Sequence, residues 1–313
     1  GYEDQVSSYS LTSGGHRDFF LPVGSDSPIS GSCNLSIIPN MTADIKVDAD
    51  RDGAYETVYS NVEDALSLSL TAGAHVHSTK PAWAVLHGNT SVRYNSWASN
   101  LPSFEQAGTD FYYPGELETY RTPEHQYVLF TACQDKNTAV YVDENFDSTP
   151  ESTYYLNSNN NFSSYYDGTT KAHIWANDYM TIHLHREDIS GEDVYVSATE
   201  LYPTTSWSSK HFSAGTRCWE DGKWLIQTQS PGTRVRAYYD GTPSNHADWT
   251  DDIDYVSVSE GETKVYSCPA NELNVRIKAN GTFQVIVMGY RSSILYDVGV
   301  HAITLPPFEE DIP

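Results

Sequence analysis

Thr42-Ala43-Asp44-Ile45-Lys46-Val47-Asp48 is the stretch on which the fold is read. Apolar and polar side chains alternate along it, the period of a strand with one buried face. The pattern returns at Thr138-Ala139-Val140-Tyr141-Val142-Asp143 and at Thr233-Arg234-Val235-Arg236-Ala237-Tyr238-Tyr239-Asp240. Working outward from these three, the flanking sequence repeats in one order. Upstream lie the hydrophobic runs Leu35-Ser36-Ile37-Ile38, Tyr127-Val128-Leu129-Phe130 and Trp224-Leu225-Ile226-Gln227. Before them come the starts Asp18-Phe19-Phe20, Asp110-Phe111-Tyr112 and Lys210-His211-Phe212. Downstream, two short strands are read as a closing hairpin: His75-Val76-His77 to Trp83-Ala84-Val85-Leu86, His173-Ile174-Trp175 to Met180-Thr181-Ile182-His183, and Val275-Arg276-Ile277 to Phe283-Gln284-Val285-Ile286. Each copy exits through Asn100-Leu101-Pro102, Leu201-Tyr202-Pro203 or Leu305-Pro306-Pro307.

Leu66-Ser67-Leu68-Ser69-Leu70-Thr71 and Leu273-Asn274-Val275-Arg276-Ile277-Lys278 alternate as well. Turn signals stand at Asp52-Gly53, Asp167-Gly168, Asp240-Gly241, Glu260-Gly261 and Asn280-Gly281. No window combines a helical period with helix caps. Any all-β chain aligns loosely with itself, yet three anchors in one order favour a true repeat. The expectation is an all-β chain of three tandem β-sandwich-like repeats with short antiparallel strands and hairpins. They cover 1–109 (an N-terminal segment plus the first repeat), 110–209, and 210–313 (the third repeat plus a C-terminal segment). Each is long enough for its own core.

The chain has 313 residues, with 42 Asp and Glu against 18 Lys and Arg, a formal charge of −24. Such a surface repels phosphate backbones, so no nucleic-acid partner is expected. Aromatics make up 13 % of the chain, with 23 Tyr, which sets it apart from disordered acidic tails. Apolar runs as short as Val285-Ile286-Val287-Met288 predict no membrane insertion. The chain opens at Gly1 without a leader, which implies either a removed signal peptide or a start inside a longer protein. Sequons at Asn34, Asn40, Asn89, Asn161 and Asn280 favour an exported, glycosylated chain with an extracellular location.

The four cysteines, Cys33, Cys133, Cys218 and Cys268, have no zinc-knuckle spacing. They are either buried free thiols or, as an even number in an exported chain, two disulfides. Of three possible connectivities, Cys33–Cys133 and Cys218–Cys268 keep each bridge within neighbouring sequence.

Asp48-Ala49-Asp50-Arg51-Asp52-Gly53 matches the start of a calcium loop, in which alternate carboxylates converge where Gly lets the chain turn. Tyr59 stands where an EF-hand has its bidentate Glu, so Glu56 is the candidate late ligand. Calcium through Asp48, Asp50, Asp52 and Glu56 is the one cofactor the sequence suggests; the alternative is a solvated hairpin turn. The corresponding turns near Asp143 and Asp240 lack the triad. His75 with His77, and His183 with His185, share strand faces and could each hold a metal. Apolar residues replace them in other copies, which favours packing. Paired acids such as Glu309-Glu310 and Asp251-Asp252 are expected by chance here. No G-x-S-x-G, Walker A or dinucleotide glycine pattern occurs, so no catalytic residue and no enzymatic role is expected. Tyr112-Tyr113, Tyr154-Tyr155, Tyr165-Tyr166 and Tyr238-Tyr239 suit protein interfaces or stacking on sugar rings.

Lys46-Val47-Asp48-Ala49-Asp50-Arg51-Asp52-Gly53-Ala54-Tyr55-Glu56-Thr57, followed by Ala72-Gly73-Ala74-His75-Val76-His77-Ser78-Thr79-Lys80-Pro81, resembles segments of large surface proteins of methanogenic archaea. Within that group the chain is similar in size and style to the sheath proteins of Methanospirillum-type cells. The resemblance implies a secreted structural protein that assembles with copies of itself through β-sheet edges into a sheath or surface layer. It transfers no functional residue. Alternatives from other classes are a carbohydrate-binding adhesin module and a calcium-dependent hydrolase with an acidic cleft.

Overall fold

The computed structural model describes residues 16–22, 32–89, 96–115, 125–158, 162–167, 170–190, 193–214, 223–240, 250–267, 274–291 and 298–304. Among them there is no α-helix; the only helical pieces are single 3-10 turns at Phe104–Gln106 and Thr204–Ser206. The all-β expectation holds. Three antiparallel sheets of seven strands follow one another along the chain. The first contains β1 (His16–Phe20), β2 (Ser32–Pro39), β3 (Ala43–Asp48), β4 (Thr57–Val62), β5 (Leu66–Leu68), β6 (His75–Asn89) and β7 (Ser96–Asn100). The second contains β8 (Gly108–Tyr113), β9 (His125–Ala132), β10 (Thr138–Asp143), β11 (Ser152–Leu156), β12 (Ser163–Asp167), β13 (Ala172–Ser190) and β14 (Asp193–Leu201). The third contains β15 (Ser208–Ala214), β16 (Lys223–Thr228), β17 (Arg234–Asp240), β18 (Thr250–Val256), β19 (Thr263–Ser267), β20 (Asn274–Arg291) and β21 (Val298–Thr304).

The strand order is the same in all three: β4-β3-β6-β2-β5, β11-β10-β13-β9-β12 and β18-β17-β20-β16-β19. One long strand carries each unit. The first part of β6 pairs with β1 and β3, and the part from Ala82 to Asn89 pairs with β2 and β7. Side chains of both halves meet in one core, from Phe19, Ile45 and Val76 on one side to Leu35, Ile37 and Leu86 on the other. The expected closing hairpins are therefore corrected. His75 to Leu86 is one continuous strand, as are the counterparts in β13 and β20, and Asn280-Gly281 lies inside β20. A side chain at each bend explains why the strand is not broken. Thr79 Oγ1, Asn177 Oδ1 and Asn280 Oδ1 accept the amides of Asp44, Ala139 and Arg234 at 2.9, 2.8 and 2.7 Å. A side-chain acceptor stands in for the ladder carbonyl that the bend moves out of reach.

The units stack. Tyr127, Leu129 and Ala198 of the second unit enter the core of the first, while Leu225 and Ile286 of the third enter the core of the second. The first and second cores are thus completed by the outer face of the next sheet, the nearest-neighbour logic of repeat proteins. The stacking contact itself recurs. Ser163 Oγ, at the start of β12, donates to the Pro22 carbonyl at 2.9 Å, and Thr263 Oγ1, at the start of β19, donates to the Pro114 carbonyl at 3.3 Å.

Cys33 and Cys133 are both free and buried. The expected Cys33–Cys133 bridge is absent because each thiol belongs to a different place. Cys33 sits in the first unit's core, and Cys133 follows β9, its Sγ 3.8 Å from the Thr131 carbonyl. Burial pushes the Cys33 thiol up to about 12 and raises Cys133 as well. Cys218 and Cys268 lie outside the described residues.

Candidate functional site

Two hairpin loops carry the acidic chemistry. The first joins β3 to β4. Alternation buries Val47 in the core, and Asp48, the next residue, is also buried, with 2 % of its surface exposed. The chain then turns through Arg51 and Gly53, whose φ values of 61° and 90° are left-handed. Glycine takes that conformation without penalty; arginine does not. The Gly53 amide donates to Asp48 Oδ2 at 3.1 Å, the Asp52 amide to Asp50 Oδ1 at 3.2 Å, and the Ala54 amide to Asp52 Oδ1 at 2.8 Å. The Ala49 amide donates to Glu56 Oε2 at 2.6 Å. Each carboxylate spends one oxygen on the loop backbone. One oxygen from each of Asp48, Asp50, Asp52 and Glu56 lies within 4.8 Å of the others. The structure thus brings together all four residues expected to bind calcium. Asp48 Oδ1 is buried and makes no well-formed hydrogen bond. Burial pushes the Asp48 carboxyl up; the Gly53 and Arg51 amides oppose this, and the charges of Glu56 and Asp135 add to it.

The second loop joins β10 to β11; it lacks the full Asp triad, as read from the sequence, yet the structure gathers an acidic cluster there as well. Asp143, Asp147 and Glu151 come within 4.8 Å of one another, with Asn145 at the position of Asp50. The bonding is the same: Ser148 N to Asp143 Oδ2 at 2.8 Å, Asp147 N to Asn145 Oδ1 at 2.9 Å, Thr149 N to Asp147 Oδ1 at 2.8 Å and Glu144 N to Glu151 Oε2 at 2.7 Å. Phe146 and Ser148 take the left-handed positions, at φ 62° and 69°. Here Asp143 Oδ1 accepts the amides of Asn145 and Phe146, at 3.2 and 2.6 Å. Reading Asn as an oxygen donor at the third position would have found this loop in the sequence. The turn after Asp240 lies outside the described residues.

The fourth residue of each loop crosses to the next unit. Arg51 is buried between the rings of Phe20 and Phe162, at 4.7 and 4.4 Å from their centroids. Its Nε donates to Asp135 Oδ1 at 2.6 Å, and its Nη1 to the carbonyls of Ala132 and Gly73 at 2.9 and 3.2 Å. Phe146 stacks on Tyr112 at 6.2 Å and abuts Gly261 of the third unit.

The histidine pairs serve structure. His75 Nε2 and His77 Nδ1 both bond Asp18 Oδ1, at 2.9 and 2.7 Å, tying β6 to β1. Burial pushes the Asp18 carboxyl up, but the two histidines outweigh it and hold it below its ordinary value. His173 bonds Asp110 in the same way at 2.5 Å. His183 and His185 are buried, on the face of β13 opposite Ile182 and Leu184. Neither pair joins a three-residue metal-ligand cluster among the described residues. The tyrosine pairs divide: Tyr112 and Tyr113 are buried, whereas Tyr155 is 60 % exposed and Tyr165 43 %. Among the sequons, Asn40 and Asn280 are exposed and Asn34 is half-buried in β2. Asn161 and the side chain of Asn89 are outside the described residues.

No protein-family model matches the chain, and no curated protein or solved structure shows significant similarity to it. No helix among the described residues is long and apolar enough to cross a membrane.

Proposed function

We propose that this chain is a secreted structural protein of an archaeal cell envelope, assembling with copies of itself through β-sheet edges into a sheath or surface layer. The observation that carries this reading is one edge, without a further strand partner among the described residues, repeated three times. β4, β11 and β18 hold the same terminal place in their sheets. Each offers apolar side chains to solvent: Val58 and Tyr59, Tyr155, and Val256. The β10–β11 ladder runs from Thr138↔Leu156 to Val142↔Ser152 without a register shift, so β11 presents a regular row of main-chain donors and acceptors. Monomers that stay apart blunt such edges; proteins built to polymerise use them.

Sideways growth is favoured over end-to-end growth by the outer face of the first unit. Where the second and third units send Leu129 and Leu225 into the preceding core, the first unit has Ser36, bonded to His87 Nε2 at 2.9 Å. That face is mixed, with Ile38, Trp83 and Val85 beside Ser36 and His87, so it offers no uniform apolar surface for a preceding core. The rival scheme is head-to-tail docking through the chain ends, 1–17 and 299–313; of these, 16–17 belong to β1 and 299–304 to β21, while 1–15 and 305–313 lie outside the described residues.

The test is assembly of the whole chain followed by electron microscopy and sedimentation. Ordered polymers are expected, and Thr153→Pro with Tyr155→Lys on β11 is expected to abolish them while leaving the monomer folded. A chain that remains monomeric at high concentration, or a β11 variant that polymerises unchanged, overturns the reading. The carbohydrate-binding alternative has one observation in its favour, the solvent-facing Trp83, 49 % exposed on β6. Glycan binding by the monomer that Trp83→Ala removes would support it instead.

A further inference from the structure

We propose that the loop from Asp48 to Glu56 is a calcium site, and that the bound ion stiffens the junction between the first and second units through Arg51. This inference stands apart from the envelope reading, because a monomer that never polymerises can bind the ion. An acidic cluster alone would not carry it. What carries it is Asp48: the side chain is 2 % exposed, Oδ2 is held by the Gly53 amide, and the buried Oδ1 makes no well-formed hydrogen bond, the Arg51 amide bearing on the carboxylate without reaching that geometry. A buried carboxylate oxygen without such a bond is costly, and a cation is the partner that removes the cost. The cluster around it contains only oxygen donors, within 4.8 Å of one another. Carboxylate oxygens without thiolate or imidazole select hard cations over zinc or copper. A loop with several acids and one left-handed Gly suits calcium, whose shell of 6–8 oxygens tolerates irregular geometry; Mg²⁺ demands a near-ideal octahedron. The cation nearest in sequence, Arg51, turns away from the four acids toward Asp135.

The link to the junction is covalent. Arg51 lies between Asp50 and Asp52 and holds a left-handed φ of 61°. Its guanidinium reaches Asp135 and the Ala132 carbonyl of the second unit. An ion that draws Asp48, Asp50, Asp52 and Glu56 together fixes the backbone from which this arm projects. Without the ion, the repulsion among four carboxylates works to open that same backbone.

The second loop has one carboxylate fewer, and both Asp143 oxygens already accept amides, so the proposal is confined to the first. The experiment titrates calcium chloride into the chelator-treated full chain by calorimetry, with thermal unfolding and hydrogen exchange read in parallel. Asp50→Asn with Asp52→Asn removes two charges while keeping the oxygens that hold the loop amides, so the variant retains its fold. Expected are saturable binding in the range of about 0.1–1 mM, that of extracellular calcium modules, a rise in Tm reversed by chelator, and slower exchange of the amides at 132–135. The double variant should lose at least tenfold in affinity and all of the slowing, and Asp147→Asn should change neither. No heat and no Tm shift, or a titration lost in Asp147→Asn but kept in the double variant, overturns the site. Binding with unchanged exchange at 132–135 overturns the coupling to the junction.

Discussion

At the junction of the first and second units a buried cation is clamped between two rings; at the junction of the second and third, a ring takes its place. The frames are alike: a hydroxyl on β12 or β19 bonds the carbonyl of Pro22 or Pro114. Arg51 and Phe146 leave their loops at the same position with the same left-handed backbone. The first junction nevertheless depends on charge. Arg51 pairs with Asp135, and the buried His183 flanks Leu129, which enters the first core. The second has neutral amides at the same depth, where Gln284 Nε2 bonds the Gln227 amide oxygen at 2.7 Å and the Tyr112 carbonyl at 2.8 Å, and its Tyr112 hydroxyl donates to the exposed Glu260 carboxylate. Backbone topology therefore sets where units meet, and side chains at a few fixed positions set what the contact responds to. The first junction should feel pH and salt more than the second.

The largest effect is expected from Arg51→Met. It leaves the buried carbonyls of Ala132 and Gly73 without their donor, at about 1–3 kcal/mol each, while the half-exposed Asp135 is rehydrated. Denaturant unfolding should show the loss in the transition that reports the first junction. Phe146→Ala, a half-buried ring, should cost less, roughly 1–3 kcal/mol. Equal losses at both sites would break the comparison.

Next comes pH. Burial, helped by the charge of His185, lowers His183 from 6.5 to about 3. The unfolded chain takes up that proton below pH 6.5 and the folded one refuses it, so this contribution is present above pH 6.5 and is lost as pH falls toward 3. Glu200, the strand partner of His183, is raised by burial from 4.5 to about 7, so its contribution is full below pH 4.5 and is lost as pH rises through 7. The two oppose each other between pH 4.5 and 6.5. His183 alone acts below that window, and Glu200 alone above it. His183→Gln should flatten the acid limb by on the order of a few kcal/mol, and Glu200→Gln should raise Tm above pH 7. An unchanged acid limb in His183→Gln would show that the junction is not the acid-sensitive part.

Gly261→Ala sharpens the second side of the comparison. A Cβ there would lie 2.3 and 2.8 Å from the Phe146 ring and 2.9 Å from the Tyr112 ring, on a backbone at φ 61°. Overpacking with a left-handed alanine should cost about 1–3 kcal/mol. Combined with Phe146→Ala, the Phe146 part of the clash should vanish while the Tyr112 contact stays, and a double-mutant cycle measures that coupling. Strict additivity would mean that Phe146 does not dock on Gly261.

Much of this was legible in the chain. Ala43 to Asp48 alternates because one face is buried, and that period is visible without any structure. Three copies in one order gave the repeated sandwich. The bend was not legible, because Lys80-Pro81 and Asn280-Gly281 carry turn chemistry while Thr79 and Asn280 quietly replace the missing ladder bond. The disulfide expectation failed at Cys33 and Cys133, since an even count of cysteines says nothing about which core each thiol occupies. The first acidic loop announced itself through Asp-Gly. The second was hidden by Asn145, whose side-chain oxygen keeps the loop's hydrogen bond, and by Ser148, whose backbone amide does; neither keeps the loop's signature.

Those two substitutions supply the smallest predicted effect. Gly53 and Ser148 hold equivalent places, at φ 90° and 69°. Only glycine takes that conformation freely; a side chain there costs about 1 kcal/mol. A Cβ on Gly53 would meet nothing within 4 Å, so Gly53→Ser tests backbone strain without steric clash. It should lower stability by roughly 1 kcal/mol. Ser148→Gly should gain somewhat less, because glycine also loosens the unfolded chain. The two changes act on one backbone feature in opposite directions, so their signs must differ if the loops are truly equivalent. Urea midpoints of the two single variants decide it. If both destabilise, the serine hydroxyl or its β-carbon holds the second loop in some way that the first does not share. The likeness of the two junctions would then stop at the backbone trace.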